Sequence, residues 1–144
     1  MKSAKNQKKA FAIYTELADR GEFEAGSNLG ICYEYGDGVP VDYKKAAAWY
    51  KVAAEHGSVV ALYKLGGLYA KDLVLPRDDV EGLALLREAA DRAVGDDPVA
   101  RFISQDPSGY MKRLEERMKP RDISSAGLRA SKRIEKNDPL GAAP

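Results

Sequence analysis

Apolar residues recur along the first two thirds of the chain at intervals of three and four positions, the spacing that places them on one face of an α-helix. The first such segment is expected to run from Ser3 to Arg20, with Ser3 as its N-cap and Gly21 just past its end. Its apolar face consists of Ala10, Ile13, Tyr14, Leu17 and Ala18. The pattern therefore predicts an amphipathic helix at this end of the chain.

Six further segments are expected to be helical, because each combines this spacing with capping or turn-forming residues at its ends. They are 22–35, 43–56, 58–71, 79–93, a short segment that begins at 97, and 110–118. From residue 119 onward apolar residues become sparse. We therefore expect 119–144 to be a basic, weakly structured tail, with a weak helix from Ser124 to Lys136 as the alternative.

The same residues recur 36 positions apart in the middle of the chain. The clearest pairs are Leu29-Gly30 with Leu65-Gly66, Tyr33 with Tyr69, Pro40 with Pro76, and Asp42 with Asp78. A fixed period of this size is typical of stacked-repeat proteins, in which no single unit buries its apolar face alone. Glycine inside a helix costs about 1 kcal/mol relative to alanine, so Gly30 and Gly66 indicate close approach of a neighbouring helix. We predict an all-α fold, an α-α superhelix in which about seven helices form a right-handed solenoid.

The period also defines the predicted domain organisation, one repeat stack over residues 1–118 followed by the tail 119–144. Within the stack we expect a half-repeat at 3–21, a repeat at 22–57, a degenerate repeat at 58–93 and capping helices at 97–118. The first helix matches the second helix of the following repeat. Either the stack opens with a half-repeat cap, or the chain begins within a longer protein.

Charge is balanced over the whole chain but not along it. The 23 basic residues nearly cancel the 22 acidic ones, which argues against a protein built around a polyanion. Nine acids stand against four bases from Asp72 to Tyr110, and nine bases against four acids from Lys112 to Lys136. The basic segment can fold against this acidic block, so nucleic-acid binding by the tail is a minor alternative.

Few residues offer catalytic or metal-binding chemistry. Cys32 is the only cysteine and His56 the only histidine, which excludes an intrachain disulfide and a thiolate cluster. Cys32 aligns with the core position Leu68, and His56 lies in the last turn of a helix, where an imidazolium stabilises the C-terminal dipole. We predict no catalytic, cofactor-binding or metal-binding residues and no enzymatic activity.

The location of the protein is inferred from what the sequence lacks. No apolar segment of the length found in signal peptides follows the basic start, and no stretch approaches the ~20 apolar residues of a membrane span. We therefore expect a cytoplasmic protein without membrane insertion. A periplasmic location is the alternative if a signal peptide has been removed.

The segment from Leu29 to Gly57 resembles a Sel-1-like repeat, a relative of the tetratricopeptide repeat. The matching residues are Leu29-Gly30-x-x-Tyr33-x-x-Gly36-x-Gly38-Val39-x-x-Asp42-x-x-Lys45-Ala46-x-x-Trp49-Tyr50-x-x-Ala53-Ala54-x-x-Gly57. The next repeat departs from the pattern, with Asp72 and Val74 where glycines are expected. The resemblance implies an α-α superhelical scaffold or adaptor, mostly without enzymatic activity. Small bacterial members include immunity proteins that neutralise secreted toxins.

The first helix of each repeat lines the concave side of such a stack, and we look for partner-binding residues there. The candidates, which avoid the core pattern, are Asn28, Ile31 and Tyr35 with, 36 positions later, Lys64, Gly67 and Lys71, and Tyr63 beside them. Aromatic residues are enriched where protein partners dock. We therefore predict that this groove binds a protein segment.

The apolar loop 73–75 is a second candidate partner-binding surface. It places Leu73 and Leu75 where the resembled repeat has a glycine-containing turn. The alternative is that these side chains pack against the C-terminal capping helices.

Together these observations predict a non-enzymatic protein–protein interaction module without a small-molecule substrate. Its size and the lack of a catalytic constellation favour a bacterial immunity protein that binds and neutralises a cognate secreted toxin. An adaptor or regulatory scaffold is the alternative. The sequence leaves the oligomeric state and the identity of the partner open.

Overall fold

A computed structural model of the chain describes residues 3–93 and 98–136, which form eight α-helices. They are α1 (Ala4–Asp19), α2 (Phe23–Tyr35), α3 (Tyr43–Glu55), α4 (Val59–Ala70), α5 (Asp79–Arg92), α6 (Pro98–Ser104), α7 (Tyr110–Arg117) and α8 (Pro120–Glu135). Each helix from α1 to α5 packs against the next. The prediction of an all-α helical repeat fold is confirmed, and the number of helices exceeds the predicted seven by one.

Side-chain caps fix the starts of four helices. The capping oxygen accepts a hydrogen bond from the backbone N–H three residues later, over 2.9 to 3.2 Å, at Ser3, Asp42, Ser58 and Asp78. Such a cap satisfies one of the N–H groups that a helix start leaves without an intrahelical partner. Asp42 and Asp78 lie 36 positions apart, so the repeat specifies the starts of α3 and α5 in the same way.

Glycines let the helices of the repeat approach each other closely. A Cβ atom at Gly30 would overlap the ring of Tyr50 on α3, and one at Gly66 would lie 2.6 Å from Cγ of Leu86 on α5. Tyr50 and Leu86 are also 36 positions apart, so the two contacts are equivalent. The predicted packing role of both glycines is confirmed. The core around them includes the fully buried Leu29, Leu62, Leu68, Leu83 and Leu85.

The loops that follow α2 and α4 begin alike and then diverge. Gly36 has φ +73° and its equivalent Asp72 has φ +59°, so both adopt the left-handed conformation, which aspartate tolerates better than most residues. Two positions further, Gly38 has φ +77°, whereas φ of Val74 is not positive. A β-branched residue is a genuine outlier in the left-handed region. The degenerate repeat therefore keeps the first half of the loop and changes the second.

The prediction of a weakly structured tail from residue 119 is wrong for its first part, because Pro120–Glu135 forms α8. This helix packs against α5 and buries Ala126 and Ala130. Because these alanine side chains are small, α8 can lie close to α5 with few large apolar residues at the contact. Sequence hydrophobicity therefore gives a weak signal for this helix. Residues 137–144 lie outside the described part of the chain.

Ion pairs join α8 to α5. Arg133 donates to both carboxylate oxygens of Glu81 over 2.6 and 2.9 Å, and Arg129 adds a third contact at 3.2 Å. Further along α5, the fully buried Glu88 accepts from Arg92 at 2.9 Å, and its other oxygen lies 3.9 Å from Arg133. Burial raises the pKa of Glu88 to about 7. The basic C-terminal segment thus folds against the acidic block.

The two ends of the stack differ in how they are covered. At one end α6 and α7 pack against α4 and α5, the arrangement expected of the predicted capping pair, although Asp97 lies outside the described residues. At the other end α1 packs mainly against α2. Ile13, predicted to face the core, is 55% exposed, because no described helix covers that side of α1.

Candidate protein-binding groove

A groove of about 420 Å³ lies between α4 and the α6–α7 pair, with the end of α2 at its edge. Its walls are Tyr35 from α2, Val60, Tyr63 and Lys64 from α4, Pro98, Val99, Phe102 and Ile103 from α6, and Ser108 and Tyr110 from the start of α7. Eight of these ten residues are apolar or aromatic, and the other two are Lys64 and Ser108. The groove is therefore a mainly apolar cleft with a polar edge.

Large apolar side chains are exposed around this groove. Tyr35 is 54% exposed, Phe102 50%, Val99 42% and Val60 37%. Isolated exposed apolar residues are normal on a protein surface, but several that line one cleft mark an interaction site or a ligand-binding groove. Two of the four come from α6, a helix that lies outside the 36-residue pattern.

Lys64 carries the only charge among the described residues that line the groove. Its Nζ lies 5.3 Å from the centre of the Tyr35 ring and 3.5 Å from the Tyr35 hydroxyl oxygen, at the long limit of a hydrogen bond. No carboxylate in the described ranges 3–93 and 98–136 lies within ion-pair distance of this ammonium. The groove thus presents a cation and a phenol side by side at its edge.

Tyr63, a predicted partner-binding residue that avoids the core pattern of the repeats, is buried and forms the floor of the groove, and its predicted role in partner binding stays a prediction. It is 6% exposed, and its hydroxyl donates a hydrogen bond to Ser108 Oγ over 2.8 Å. Its ring packs against the rings of Phe102 and Tyr110, with centroids 5.7 and 5.6 Å away. Burial raises the pKa of Tyr63. Tyr63 is covered by α6 and α7, which are not part of a repeat. The repeat pattern in the sequence therefore does not reveal that Tyr63 is buried.

Lys71, predicted to contact another protein, forms an ion pair with Glu34 of this chain. Its Nζ donates to Glu34 Oε2 over 2.8 Å, and Glu34 Oε1 accepts from the Tyr50 hydroxyl, also over 2.8 Å. Desolvation alone would lower the pKa of Lys71, but its hydrogen bond to Glu34 and the charge of that carboxylate raise it. Lys71 therefore links α4 to α2, and its predicted role in partner binding stays a prediction.

Glu34 is a residue that sequence reasoning missed. It is 5% exposed, and Ala70 occupies the equivalent position 36 residues later. A buried carboxylate is stable only when its oxygens are paired and hydrogen-bonded. The signal in the sequence was an acidic residue at a position where the next repeat has alanine.

The other predicted contact residues are divided among separate places. Asn28 and Ile31 line a smaller hollow of about 170 Å³ between α1 and α2, not the groove that contains Tyr35. Gly67 is covered by Tyr110, since a Cβ there would lie 2.7 Å from its ring. The predicted continuous face along α2 and α4 is therefore split.

The loop predicted as a second surface is divided as well. Leu73 is half-buried and packs against the hydrophobic core, whereas Leu75 is 82% exposed. Leu73 is thus partly covered by the fold, whereas the Leu75 side chain is open to solvent. The binding role predicted for Leu73 and Leu75 stays a prediction.

The described residues contain no group of three histidine, cysteine, aspartate or glutamate side chains placed to hold a metal ion. Cys32 is buried, and His56 stacks on Phe23 with Nδ1 2.8 Å from the carbonyl oxygen of Val52. None of the eight helices has the length and hydropathy needed to cross a membrane.

Comparison with known proteins defines the class to which this fold belongs. A model of the Sel1 repeat matches residues 3–22, 24–58 and 59–94, more than half of the chain. The chain therefore belongs to the Sel1 repeat family of tetratricopeptide-like helical repeat proteins. Such repeats mediate protein–protein interactions and are typically non-catalytic.

Individual relatives are much longer than this chain. It is 41% identical over 56 residues to an uncharacterized Sel1-like repeat-containing protein of Schizosaccharomyces pombe, a match that covers 39% of this chain and 8% of that protein. It is 33% identical over 66 residues to chitin synthase regulatory factor 3 of the same organism, covering 46% of this chain and 7% of that one. The matched segments thus cover less than a tenth of the length of either relative.

The fold is similar to that of a solved structure over nearly its full length. The structure is that of a protective antigen present in uropathogenic Escherichia coli strains, which displays an SLR fold. The two chains superpose with a TM-score of 0.79 at 29% sequence identity, over 96% of this chain and 28% of the other. This similarity supports the helical fold over nearly the whole chain, including the helices that follow the repeats.

Proposed function

We propose that this chain is a non-catalytic protein-binding module and that its partner docks in the groove between α4 and the α6–α7 pair. The observation that carries the proposal is the clustering of exposed Tyr35, Val60, Val99 and Phe102 in one cleft beside Lys64. Aromatic side chains are over-represented among the residues that dominate binding energy at protein interfaces. Membership of a family whose repeats bind proteins supports the same function.

The contact residues proposed here extend the set predicted from the sequence. Tyr35 and Lys64 belong to both sets, and Val60, Val99 and Phe102 are added by the structure. Tyr63 forms the floor of the groove and is almost completely buried, so it contributes less to the proposed surface than the exposed residues do. The proposed surface is therefore formed partly by a repeat and partly by the capping helix α6.

Two biological roles fit a module of this kind. A regulatory adaptor is supported by the similarity to chitin synthase regulatory factor 3, whose name describes a regulator. The immunity role, neutralisation of a secreted bacterial toxin, stays a hypothesis that rests on the resemblance to small bacterial Sel-1-like proteins. An adjacent toxin gene favours immunity, and co-purification with a multi-subunit assembly favours the adaptor.

Nucleic-acid binding by the basic C-terminal segment receives less support. Arg117 contacts Asp72 and Asp79, and Arg129 and Arg133 contact Glu81. Cations paired within the fold contribute less to phosphate binding than free ones, because the internal pairs must be broken first. These contacts favour a structural role for the arginines.

The proposal is tested by affinity purification with variants that alter the groove. Phe102→Ala removes a half-exposed ring from the groove, and Leu128→Ala removes an equally exposed side chain from α8 as the matched control. We expect Phe102→Ala to weaken partner recovery by about tenfold and Leu128→Ala to leave it unchanged. Equal recovery with both variants, each with an unchanged circular dichroism spectrum and melting temperature, contradicts the proposal.

A further inference from the structure

We propose that the occupant of the groove is a short, extended, acidic peptide segment that inserts one large apolar side chain and places a carboxylate on Lys64. This inference rests on the proposed function and specifies the chemistry of the partner. Three features of the groove support this inference. They are its size, its apolar lining, and its single cation, Lys64, which has no carboxylate partner among the described residues.

The size of the groove limits what can enter it. About 420 Å³ lies at the lower end of the range of pockets that take small ligands, and accommodates one or two large side chains with their backbone. An intact helix is about 10 Å across and needs a longer trough. A short extended segment therefore fits the groove better than a folded surface does.

The lining specifies an apolar anchor. The rings of Tyr63 and Tyr110 form the floor, and the half-exposed Phe102 and Val60 lie at the sides. An aromatic or branched aliphatic side chain that enters there buries its own surface and that of these residues. Apolar burial of this kind is the dominant favourable contribution to most protein association.

The edge of the groove specifies a negative charge. Within residues 3–93 and 98–136, Lys64 has only the Tyr35 hydroxyl as a hydrogen-bond partner, whereas Lys71, seven positions later, is paired with Glu34 over 2.8 Å. A carboxylate beside the anchor can accept hydrogen bonds from both the Lys64 ammonium and the Tyr35 hydroxyl, and charge-assisted hydrogen bonds are the stronger kind. A basic segment would place like charges together and be rejected.

The test is a selection of random linear peptides displayed on phage against the full chain, followed by affinity measurement of the enriched sequences. We expect the enriched peptides to share an aspartate or glutamate within two positions of a phenylalanine, tryptophan, leucine or isoleucine. Their affinity should fall as salt rises. Lys64→Glu should weaken binding by about tenfold or more, and Lys64→Arg should retain it within about threefold.

Two variants separate the failure of this inference from failure of the proposed function. Lys132→Glu, on the exposed face of α8, makes the same charge change away from the groove and should leave the affinity unchanged. Enriched peptides that are neutral or basic and lose affinity with Phe102→Ala but not with Lys64→Glu overturn the acidic partner and leave the groove as the binding site. If the affinity of the peptides does not change with Phe102→Ala, both the acidic partner and the groove as binding site are wrong. If the selection enriches no peptide, the inference that the partner is a short extended segment is wrong.

Discussion

Two neighbouring regions of the α2–α4 surface use similar residues for different purposes. In the closed region, defined by Glu34, Tyr50 and Lys71, each polar group has a partner within 2.8 Å. In the open region, defined by Tyr35, Lys64 and Phe102, two rings are half-exposed and the ammonium has no carboxylate partner among the described residues. The chain thus pairs its polar groups internally in the closed region and leaves groups exposed in the open region, where we propose that a partner binds.

The repeat equivalents sharpen this comparison. The position of Glu34 is taken by Ala70 in the next repeat, and that of Tyr50 by Leu86. The backbone contact is the same in both, with a glycine facing the larger side chain. The tyrosine brings a hydroxyl into the interior, which must be hydrogen-bonded, whereas the leucine does not. The closed region is therefore a polar variant of an interface that the chain also makes with apolar residues.

The largest effect is expected from Glu34→Ala, which breaks the closed region. The change leaves the buried Tyr50 hydroxyl without its acceptor and Lys71 without its counter-ion. We expect the free energy of unfolding to fall by about 4 kcal/mol, in the range found when one partner of a buried ion pair is removed. Urea unfolding followed by circular dichroism measures the change.

A double variant provides the control. Glu34→Ala combined with Tyr50→Leu reproduces the Ala70 and Leu86 pair of the next repeat and leaves no orphaned hydroxyl. We expect this double variant to be more stable than Glu34→Ala alone, since replacing both partners by apolar groups is less costly than removing one. If the double variant is the less stable of the two, the interpretation of the closed region is wrong.

A second prediction concerns Glu88 on α5, which is buried like Glu34 on α2. Burial raises the pKa of Glu88 from 4.5 to about 7. The folded state thus retains a proton that the unfolded chain releases above pH 4.5, so stability falls as pH rises from 4.5 to about 7 and is constant beyond it. The raised pKa of Glu88 corresponds to a fall of about 3 kcal/mol in the free energy of unfolding between pH 4.5 and the plateau above pH 7.

Glu88→Gln should flatten this pH dependence when urea unfolding is compared at about pH 5 and about pH 8. Glu81→Gln is the matched variant on α5. Desolvation alone would raise the pKa of Glu81, but Arg133 and Arg129 outweigh it and lower the pKa. Its contribution is therefore present above pH 4.5 and lost as pH falls further. An unchanged pH profile in Glu88→Gln would show that Glu88 does not titrate in this window.

A third, smaller effect distinguishes the two glycine contacts. Gly30→Ala forces a Cβ into the ring of Tyr50, which the hydrogen bond to Glu34 holds in place. We expect a loss of about 2 kcal/mol, after allowing for the better helix propensity of alanine. Gly66→Ala meets Leu86, which no side-chain hydrogen bond holds in place, and the Gly82 carbonyl oxygen at 3.2 Å, so a smaller loss of about 1 kcal/mol is expected. Thermal unfolding of both variants tests the order, and a greater loss for Gly66→Ala contradicts it.

The smallest effect on stability is expected in the open region. Lys64→Glu alters a side chain whose polar contact in the described residues is the Tyr35 hydroxyl, so it should change the free energy of unfolding by less than about 1 kcal/mol. A loss comparable to that of Glu34→Ala would show that the open region is structural. Unfolding in urea under the conditions used for Glu34→Ala gives a direct comparison.

The repeated part of the fold could be predicted from the sequence, and the groove only in part. Helix caps such as Asp42 and close contacts such as that at Gly30 are local or periodic, so the 36-residue period reveals them. Tyr63 and Phe102 meet across 39 positions through helices outside the repeat, and no period reports that contact. Pairs such as Glu34 with Lys71 and Glu81 with Arg133 depend on the three-dimensional approach of distant segments.

Hydrogen–deuterium exchange of the chain, with and without its purified partner, tests the central claim most directly. Exchange reports which backbone segments become less accessible to local opening. We predict that partner binding slows exchange in α4 and α6, the two helices that form the walls of the groove. Protection confined to α1 or α8, with α4 and α6 unchanged, would contradict the assignment of the groove as the binding site.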